Sequence, residues 1–392
     1  MSRRHLLELD GELGIFQHAV GPTPDPAHGY CVDDVARALE VDLLHARTLG
    51  WVEVSRSAWR GLRFLEDAFD PEIGRFRNFR SIDGSWIGGA GSNDSFGRAM
   101  LALGATMDAA PDARLFEGAL TLFGRALPAA GKVTSPRAQA SIVLACDAVA
   151  RSVHVAGAED EQGAAIGAAS ALVLRRVATA LHARFLDFAR PGWPWAEGSL
   201  TYENALLPRA LIVAGHRLGA GTMLAIGLQV LDWLIDVQTS PTGRFSPVGN
   251  GWWPRGGEKS QFDQQPIEAT SLLLAAEAAY TATRDPRYLE AMERAYAWFL
   301  GANDLGVKIA DPARGACCDG LTSTGVNVNE GAESTLMWLT AAEHIRLMRS
   351  RKPKAVRVIA PGRPLLTRSA ASAAPPSPAA PPASTLAPLV PS

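Results

Sequence analysis

The sequence predicts an all-α protein in which helices form a closed two-layer ring, an (α/α)6 toroid, followed by a disordered tail. Three observations lead to this prediction. Apolar residues recur at helical spacing along most of the chain, and strand-like alternation is scarce. Two kinds of helix alternate with each other repeatedly. The last segment, 351–392, is basic at its start and then rich in Ala, Pro and Ser, with little to bury.

The first kind of helix is rich in small and apolar residues and carries little charge after its first turn. A helix of this composition is expected to be buried on most sides. We therefore assign these helices to the inner layer of the ring. Six segments have this character, near residues 33–46, 94–107, 137–151, 203–218, 266–282 and 331–348.

The second kind of helix lies between the first and is amphipathic. It carries Arg, Glu and Asp on one face and apolar residues on the other, as expected for a peripheral helix. Five segments fit this description, near residues 54–69, 113–127, 163–188, 222–238 and 286–300. A poorer candidate near residues 6–18 would complete a set of six.

The repeat alone is compatible with an open solenoid or a closed ring. A solenoid requires a regular period and polar capping repeats. Here the connecting loops differ in length, and the terminal segments are not distinctly capped. Six inner and six outer helices suit a ring instead. We therefore predict a toroid domain over residues 1–350, in which the N-terminal ends of the inner helices share one face.

Composition limits the partners of this domain. The chain has 392 residues, of which 47% are hydrophobic and 20% charged, which is ordinary for a globular protein. Residues 1–350 carry 32 Lys and Arg against 40 Asp and Glu, so nucleic acid is not an expected partner. No stretch approaches the roughly 18 uncharged apolar residues of a membrane helix, and no signal-like run begins the chain. We expect a cytoplasmic protein without a membrane partner.

Most familiar catalytic motifs are missing from the sequence. It has no GxGxxG in a βαβ setting, no GxxxxGK[ST], no HExxH and no GxSxG. The four cysteines form neither a CxxC pair nor a zinc-type spacing and are expected to be buried or half-buried thiols. The eight histidines are scattered, and we expect only His28 in a site loop. We therefore predict no metal and no cofactor.

Carboxylates recur where the predicted inner helices begin. Five of the six entries are acidic, and only the third, "TSPRAQAS", is not. Any one of these side chains could simply cap its helix, which contributes about 0.3–1 kcal/mol. A closed ring, however, would bring all of them to one face. The acidic entries contain Asp33, Asp34, Asp94, Glu203, Asp263, Glu268, Glu330 and Glu333.

Aromatic side chains occur in the loops that precede these entries. Flat rings stack on the apolar faces of sugars, while Asp, Glu, Arg and Asn bind sugar hydroxyls, so the combination predicts a carbohydrate site. Any single Trp, taken alone, is better explained as a packed loop anchor. We expect the adjacent pair Trp252 and Trp253, in a Gly-rich loop, to be exposed at the site. Arg37 and Arg98 lie one turn beyond Asp34 and Asp94, on the same helical faces.

Glycoside hydrolysis needs two carboxyl groups in different environments, one a proton donor and the other a base or nucleophile. We expect Asp94 and Glu268 to form this pair, followed in preference by Asp34, Glu203 and Glu333. The predicted substrate-binding residues are Tyr30, Asp33, Arg37, Trp86, Arg98, Trp195, Tyr202, Trp252, Trp253, Arg255, Asp263, Gln264 and Gln265.

Several motifs together resemble a bacterial six-hairpin glycosidase-like domain. They are "HGYCVDDVARAL", "GRFRNF", "GSNDSFGRAMLALG", "WPWAEGSLTYENALLPRALI", "GRFSPVGNGWWPRGG", "FDQQPIEA" and "NEGAESTLMWL", and the resemblance spans residues 5–348. The chain is similar to domains that occur beside or fused to sugar-nucleotide glycosyltransferases. The resemblance implies the toroid, an oligosaccharide or polysaccharide substrate, and a glycosyltransferase system as a partner. It also implies Asn after the paired aspartates, where this chain has Val35.

Three functions are compatible with these features. The leading hypothesis is a glycoside hydrolase, and the first alternative is a non-catalytic glycan-binding or accessory protein of a glycan-synthesis system. The second alternative is a sugar epimerase on the same toroid, against which the scarcity of His in the site loops argues. A retaining glycosyltransferase would need a doubly wound α/β domain, which this sequence does not predict.

Overall fold

The computed structural model describes residues 2–156 and 161–351. Within them the helices are α1 (Arg4–Glu8), α2 (Val32–Leu49), α3 (Trp51–Ala68), α4 (Asn93–Ala109), α5 (Ala113–Ala130), α6 (Pro136–Ala156), α7 (Glu161–Phe188), α8 (Leu206–Leu218), α9 (Gly221–Val237), α10 (Pro266–Thr283), α11 (Arg287–Phe299) and α12 (Ala332–Arg351). The strands are β1 (Phe16–Val20), β2 (Thr23–Cys31), β3 (Phe69–Asp70), β4 (Arg75–Arg80), β5 (Trp86–Ala90), β6 (Ser199–Leu200), β7 (Trp253–Pro254), β8 (Ala310–Asp311), β9 (Ala316–Cys317), β10 (Gly320–Thr322) and β11 (Gly325–Asn327).

The even-numbered helices form a closed inner ring. Each packs against the next even-numbered helix, and α12 packs against α2, which closes the circle. Helices α3, α5, α7, α9 and α11 form the outer layer, and each packs against the inner helix that precedes it in sequence. The predicted all-α toroid is therefore confirmed, and an open solenoid is excluded because the first and last inner helices are in contact.

Glycines permit a close approach between the neighbouring inner helices α4 and α6. A Cβ atom at Gly97 would lie 2.9 Å from the Cα atom of Ala138, and one at Gly104 would lie 2.7 Å from the carbonyl oxygen of Ala145. Larger side chains at either position would force the two backbones apart. The small-residue composition that marks an inner helix in sequence is thus what lets the ring close tightly.

The main core lies between the two layers. On α3, Val54, Ala58, Leu62 and Leu65 repeat at helical spacing and are fully buried. They face the inner ring, where Leu39 of α2 is also fully buried. The outer faces of these helices carry the charged side chains, as the amphipathic pattern predicts.

The predicted sixth outer helix, near residues 6–18, is largely wrong. Helix α1 ends at Glu8, and the chain then turns and enters β1. Gly11 and Gly14 interrupt the helical pattern, and glycine costs about 1 kcal/mol inside a helix. Gly11 is also in close contact with the ring of Tyr30, because a Cβ atom there would lie 2.4 Å from the Tyr30 hydroxyl oxygen. The ring thus has five long outer helices and one short one within the described residues.

The strands belong to the loops rather than to the ring. Strands β1, β2, β4 and β3 form an antiparallel sheet in that order, and β5 pairs with β4. Strand β2 ends at Cys31, directly before α2, and β5 ends at Ala90, shortly before α4. The sheet therefore lies at the face where the inner helices begin, and its shortness explains why the sequence shows little strand-like alternation.

Helix α7 is the one described helix that is long and apolar enough to cross a membrane, judged by length and composition only. It belongs to the outer layer, packs against α6 and α8, and buries Leu174, Val177, Leu181 and Phe185. The predicted tail, 351–392, lies outside the described residues except for Arg351, at which α12 ends.

Candidate functional site

A cavity of about 610 Å³ lies at the face where the inner helices begin. Its walls come from the first turns of α2, α4, α10 and α12, together with the loops that precede them. Nine of the residues predicted from sequence line it, namely Asp33, Asp34, Arg37, Asp94, Arg98, Tyr202, Trp252, Gln265 and Glu333. The ring thus brings side chains from distant parts of the chain into one concave site.

Asp94 does not cap its own helix. The N-cap of α4 is Ser92, whose hydroxyl oxygen accepts a hydrogen bond from the backbone N–H of Ser95 at 3.0 Å. The Asp94 carboxylate instead accepts hydrogen bonds from the Ser135 hydroxyl, at 3.0 Å, and from the Tyr202 hydroxyl. Because burial and the adjacent carboxylate both disfavour a phenolate, the pKa of Tyr202 is raised. Asp94 therefore does not cap α4, and its carboxylate lies at the cavity.

Asp34 is the most deeply buried acid that lines the cavity, with 6% of its surface exposed. Its carboxylate accepts a hydrogen bond from the Arg37 guanidinium at 2.8 Å and one from the Cys31 thiol at 3.2 Å. Arg37 also pairs with Glu333 at 2.7 Å, across the contact between α2 and α12. Burial raises the pKa of Asp34 to about 6, although the neighbouring guanidinium opposes the rise.

A second arginine, Arg98, joins Asp33 of the cavity lining to Glu203, which was predicted as a catalytic candidate but does not itself line the cavity. Arg98 contacts both carboxylate oxygens of Glu203, at 2.5 and 3.4 Å, and its Nε atom lies 3.3 Å from Asp33. Burial opposes the charge on Arg98, but the carboxylates outweigh burial and raise its pKa. Two arginines therefore pair with four carboxylates. Like charges can crowd in the cavity because cations lie between them.

Glu203 lies in the loop before α8 rather than in the helix, which begins at Leu206. Its backbone has φ of 45°, in the left-handed region that costs a non-glycine residue about 1–2 kcal/mol. Such a conformation persists only where its surroundings hold it. The turn is what directs the Glu203 carboxylate toward Arg98.

Glu268 holds that turn and does not line the cavity, which corrects the expectation that it is one of the two reacting carboxyls. Only 4% of its surface is exposed. Its carboxylate accepts hydrogen bonds from the backbone N–H groups of Glu203 and Asn204, and from the Asn204 side-chain amide at 3.1 Å. Burial raises the pKa of Glu268 to about 7, while these donors favour the charged form. A carboxylate at a helix entry can thus bind a neighbouring loop instead of a substrate.

The third inner helix, whose entry lacks an acid, contributes a cation to the same loop. Arg137 of α6 donates to the carbonyl oxygen of Tyr202 at 2.6 Å and to the hydroxyl of Thr201 at 2.6 Å. It also pairs with Glu197 at 2.9 Å, and its guanidinium lies 4.3 Å from the centre of the Tyr202 ring. Arg137 is therefore a positioning residue that the sequence predictions missed. Its place at an inner-helix entry is the signal that could have found it.

Solved structures with the same architecture include carbohydrate enzymes. A cellobiose 2-epimerase from Spirochaeta thermophila is 13% identical, with a TM-score of 0.64, and the match covers 88% of this chain and 92% of that one. A family 76 α-mannanase from Bacteroides thetaiotaomicron is 10% identical, with a TM-score of 0.59 and coverage of 88% and 92%. A D-mannose isomerase is 11% identical, with a TM-score of 0.58 and coverage of 88% and 96%.

The chain has the six-hairpin (α/α)6 toroid fold. Likenesses at such low identity show the fold alone. No protein-family model matches the sequence, and the search of curated proteins found no match.

Four predicted aromatic contacts are packed into the toroid or its loops instead of lining the cavity. Trp195 is fully buried against Phe185, and its indole N–H donates to the carbonyl oxygen of Ser199 at 3.0 Å. Large rings contribute most to a core when fully covered, which favours this use over exposure. The residues corrected on this ground are Tyr30, Trp86, Trp195 and Trp253.

Trp252 behaves differently from its neighbour Trp253. It lines the cavity with 48% of its surface exposed, and its backbone has φ of 63°. Trp253 packs edge-to-face against Trp193 and stacks on Trp233. The left-handed turn at Trp252 separates the two side chains, so only one of the expected pair reaches the cavity.

Three further predicted contacts also lie outside the cavity lining. Gln264 is fully buried, where its amide pairs with Asp304 at 2.6 Å and accepts from the Trp298 indole at 3.0 Å. Asp263 is exposed in a left-handed turn, and its carbonyl oxygen accepts from the Asn250 N–H. Arg255 is exposed beside the carbonyl oxygen of Phe188. These three residues contact other parts of the loops and do not line the cavity.

Residues from two loops were missed by the sequence predictions. His18 of β1 lines the cavity and packs edge-to-face on His28, with 4.6 Å between the ring centres, so the expectation of His28 alone is corrected. It was missed because residues 6–18 were assigned to a helix. Asp319 also lines the cavity; burial raises its pKa, and it accepts from the Gly331 N–H at 2.9 Å. Val35 is buried in the core, so position 35 offers no sugar contact.

The cavity offers two main kinds of polar group to a ligand, namely carboxyl groups and amide side chains. Asp94, half-exposed, and Tyr202 form one hydrogen-bonded pair, and the buried Asp34 provides a carboxyl with a raised pKa on the neighbouring inner helix. The cavity lining also contains three amide side chains, those of Asn250, Gln265 and Asn327. Among residues 2–156 and 161–351, no group of three or more His, Cys, Asp or Glu side chains is arranged to hold a metal ion.

Proposed function

We propose that this protein is a carbohydrate-active enzyme that hydrolyses a glycosidic bond of an oligosaccharide bound in the 610 Å³ cavity. The observation that carries the proposal is the difference in environment between two carboxyl groups that line this cavity. Asp34 is buried and has a pKa raised to about 6, whereas Asp94 is half-exposed and accepts two hydroxyl hydrogen bonds. Glycoside hydrolysis requires such an unequal pair.

In this proposal Asp34 is the proton donor and Asp94 the base or nucleophile. Asp34 gives its proton to the glycosidic oxygen as the bond to the anomeric carbon breaks. Asp94 either takes a proton from the attacking water or forms a bond to the anomeric carbon, which water then breaks. The hydroxyls of Tyr202 and Ser135 hold the Asp94 carboxylate in place. The anomeric configuration of the first product distinguishes the two routes.

The cavity also suits sugar binding. Trp252 offers a half-exposed ring at the wall, and its left-handed backbone is held by the hydrogen bond from its N–H to the carbonyl oxygen of Gly249 at 2.9 Å. Strained backbone of this kind is often found at ligand sites. Structural neighbours named for cellobiose, mannose and mannan support a sugar ligand of the glucose or mannose type. A glycosyltransferase system remains our proposed partner.

The test is a panel of gluco- and manno-oligosaccharides of different linkage, incubated with the protein and analysed for products. We expect cleavage of at least one member, and loss of cleavage with retained binding in Asp94→Asn and Asp34→Asn. Asp236→Asn, an exposed aspartate on the outer helix α9, is the matched control and should cleave normally. Binding without products would favour the glycan-binding alternative. Neither binding nor cleavage would overturn the carbohydrate proposal.

A sugar epimerase is the second candidate, and His18 is the observation that favours it. An imidazole at the cavity wall is a suitable base for removing a proton beside a sugar carbonyl. Reducing disaccharides incubated in deuterated water should then gain deuterium at the carbon beside the carbonyl, and His18→Ala should stop the exchange. Exchange that continues unchanged in this variant, or no exchange at all, would remove this candidate.

A further inference from the structure

The toroid has a second cavity system along its axis, away from the face where the inner helices begin. Two adjoining cavities of about 530 and 240 Å³ share Arg209, Val213 and Leu274 in their walls. The smaller cavity is lined by residues of all six inner helices. Most come from the middle of a helix or its C-terminal half, whereas Arg209 lies in the first turn of α8. It shares no lining residue with the 610 Å³ cavity described above.

Nine of the 17 residues that line the smaller cavity are apolar, and the others are polar or charged. Leu43, Leu101, Leu144 and Leu274 project from four different inner helices. A concave apolar space with a few convergent polar groups is the usual form of a small-molecule site. A ligand that fits here should therefore have a compact apolar body.

Arg209 lines both cavities and lacks a partner for its guanidinium. Among the described residues, its guanidinium makes no hydrogen bond and no ion pair within 4.0 Å. Of the other cations that line these cavities, Arg151 and Arg217 both contact Asp147, and Arg47 is exposed to solvent. A guanidinium is never neutral in practice, and its planar fork matches a carboxylate. The unpaired cation indicates that the missing partner is an anion.

The acids nearest Arg209 do not complete this pairing. The carboxylate of Glu277 pairs with the imidazole of His344, at a distance of 2.6 Å. Glu40 also lines the smaller cavity, but burial raises its pKa to about 7, so near neutral pH it carries only part of a charge. Positive charge at Arg209 is therefore not fully balanced by the protein.

We propose that this axial cavity binds a small organic carboxylate with an apolar body, its carboxylate on the Arg209 guanidinium and its body against the four leucines. The proposal goes beyond the glycosidase proposal and does not depend on it, because the two cavities have separate linings. Protonation of Glu40 should favour the ligand, since a neutral Glu40 does not repel its carboxylate.

The test is isothermal titration calorimetry of the full-length protein with benzoate, hexanoate and inorganic phosphate at pH 6.5. We expect saturable binding of benzoate or hexanoate, at least tenfold tighter than that of phosphate. Arg209→Met should weaken that binding at least tenfold, and Glu40→Gln should keep or strengthen it. Arg175→Met is the matched control, because Arg175 is exposed on the outer helix α7 and should leave binding unchanged.

Val213→Phe keeps the proposal testable if Arg209→Met does not fold, because it fills both cavities without removing a charge. It should abolish benzoate and hexanoate binding while the protein keeps its helical circular dichroism. The proposal is overturned if neither carboxylate binds saturably, if phosphate binds as tightly, or if both Arg209→Met and Val213→Phe bind as the unmodified protein does.

Discussion

The hydroxyl of Tyr202 donates a hydrogen bond to the carboxylate of Asp94, which joins the loop before α8 to the first turn of α4. The two residues are 108 positions apart in the chain. The bond places a neutral donor on the acid to which we assign the base or nucleophile, and it depends on the loop that Arg137 and Glu268 hold.

Replacing Tyr202 by Phe should lower kcat on a cleaved oligosaccharide by about tenfold, because a hydrogen bond to a charged group is worth about 1.5 kcal/mol or more. The loop should stay in place, since Arg137 binds the main chain of Tyr202 and not its hydroxyl. Tyr280→Phe, on α10, is the control. An unchanged kcat in Tyr202→Phe would show that Asp94 does not need this donor.

Removing the indole of Trp252 should weaken glycan binding more than it slows turnover. We expect the Kd to rise about tenfold in Trp252→Ala, because stacking on an aromatic side chain contributes roughly 1–3 kcal/mol for a nucleobase, and we expect a sugar to fall at the lower end of this range. Trp252→Phe keeps a flat ring and should recover most of the affinity. Equal Kd values for the alanine and phenylalanine variants would contradict a stacking role.

The strained backbone at Glu203 can be measured by comparing two variants. Glu203→Ala and Glu203→Gly both lose the contact with Arg98. Glycine adopts a positive φ without a Cβ clash, so Glu203→Gly should be about 1 kcal/mol more stable to urea unfolding than Glu203→Ala. Reversal of this order would mean that the turn relaxes when the carboxylate is removed.

Stability should fall as the pH rises from about 5 to 8. Asp34, Asp42, Glu268 and Glu40 have folded-state pKa values raised to about 6, 6, 7 and 7, above unfolded values near 4. The folded state therefore binds more protons in this range, and the stability that each group contributes at low pH is lost as the pH passes its folded pKa. Urea unfolding at pH 5 and pH 8 measures the difference.

Glu40→Gln is the variant that tests this origin. It removes one of these four carboxyls, so its stability should depend less on pH than that of the unmodified protein. Glu117→Gln, an exposed glutamate on α5, should keep the full dependence. A protein that is more stable at pH 8 than at pH 5 would refute the prediction.

Close packing between α4 and α6 makes Gly104 sensitive to any side chain. Gly104→Ala should lower the free energy of unfolding by about 1–3 kcal/mol, since its Cβ atom would lie 2.7 Å from the Ala145 carbonyl oxygen. Gly221→Ala, in the first turn of α9, meets nothing within 4 Å and should be neutral or slightly stabilising. Thermal or urea unfolding separates the two variants, and equal stability would contradict the close approach.

The fold could be predicted because it depends on local patterns repeated many times. Inner and outer helices differ in composition, and that difference is visible in each segment alone. The prediction of a sixth outer helix near residues 6–18 was wrong because Gly11 and Gly14 lower the local preference for a helix. A single segment with a weak helical pattern was not enough to show this. The closure of the ring by α12 and α2 followed from the number of repeats rather than from any single contact.

The sequence predicted which face of the ring carries the site, but it did not distinguish the side chains that line the cavity from those that do not. Asp94 and Glu268 occupy equivalent places at helix entries, yet Asp94 faces the cavity and Glu268 binds backbone amides 64 and 65 positions away. Trp252 and Trp253 are neighbours with opposite environments because of one left-handed turn. These distinctions depend on long-range partners and on single backbone angles, and neither has a signature in the local sequence.

The contact between α12 and α2 has a consequence for synthesis on the ribosome. Arg37 is translated well before its partner Glu333, which belongs to the last helix of the ring. Until α12 emerges, α2 has one flank uncovered and the acid-lined wall lacks a member. The emerging chain can form hairpins one after another, but the cavity is completed only when its last helix joins its first.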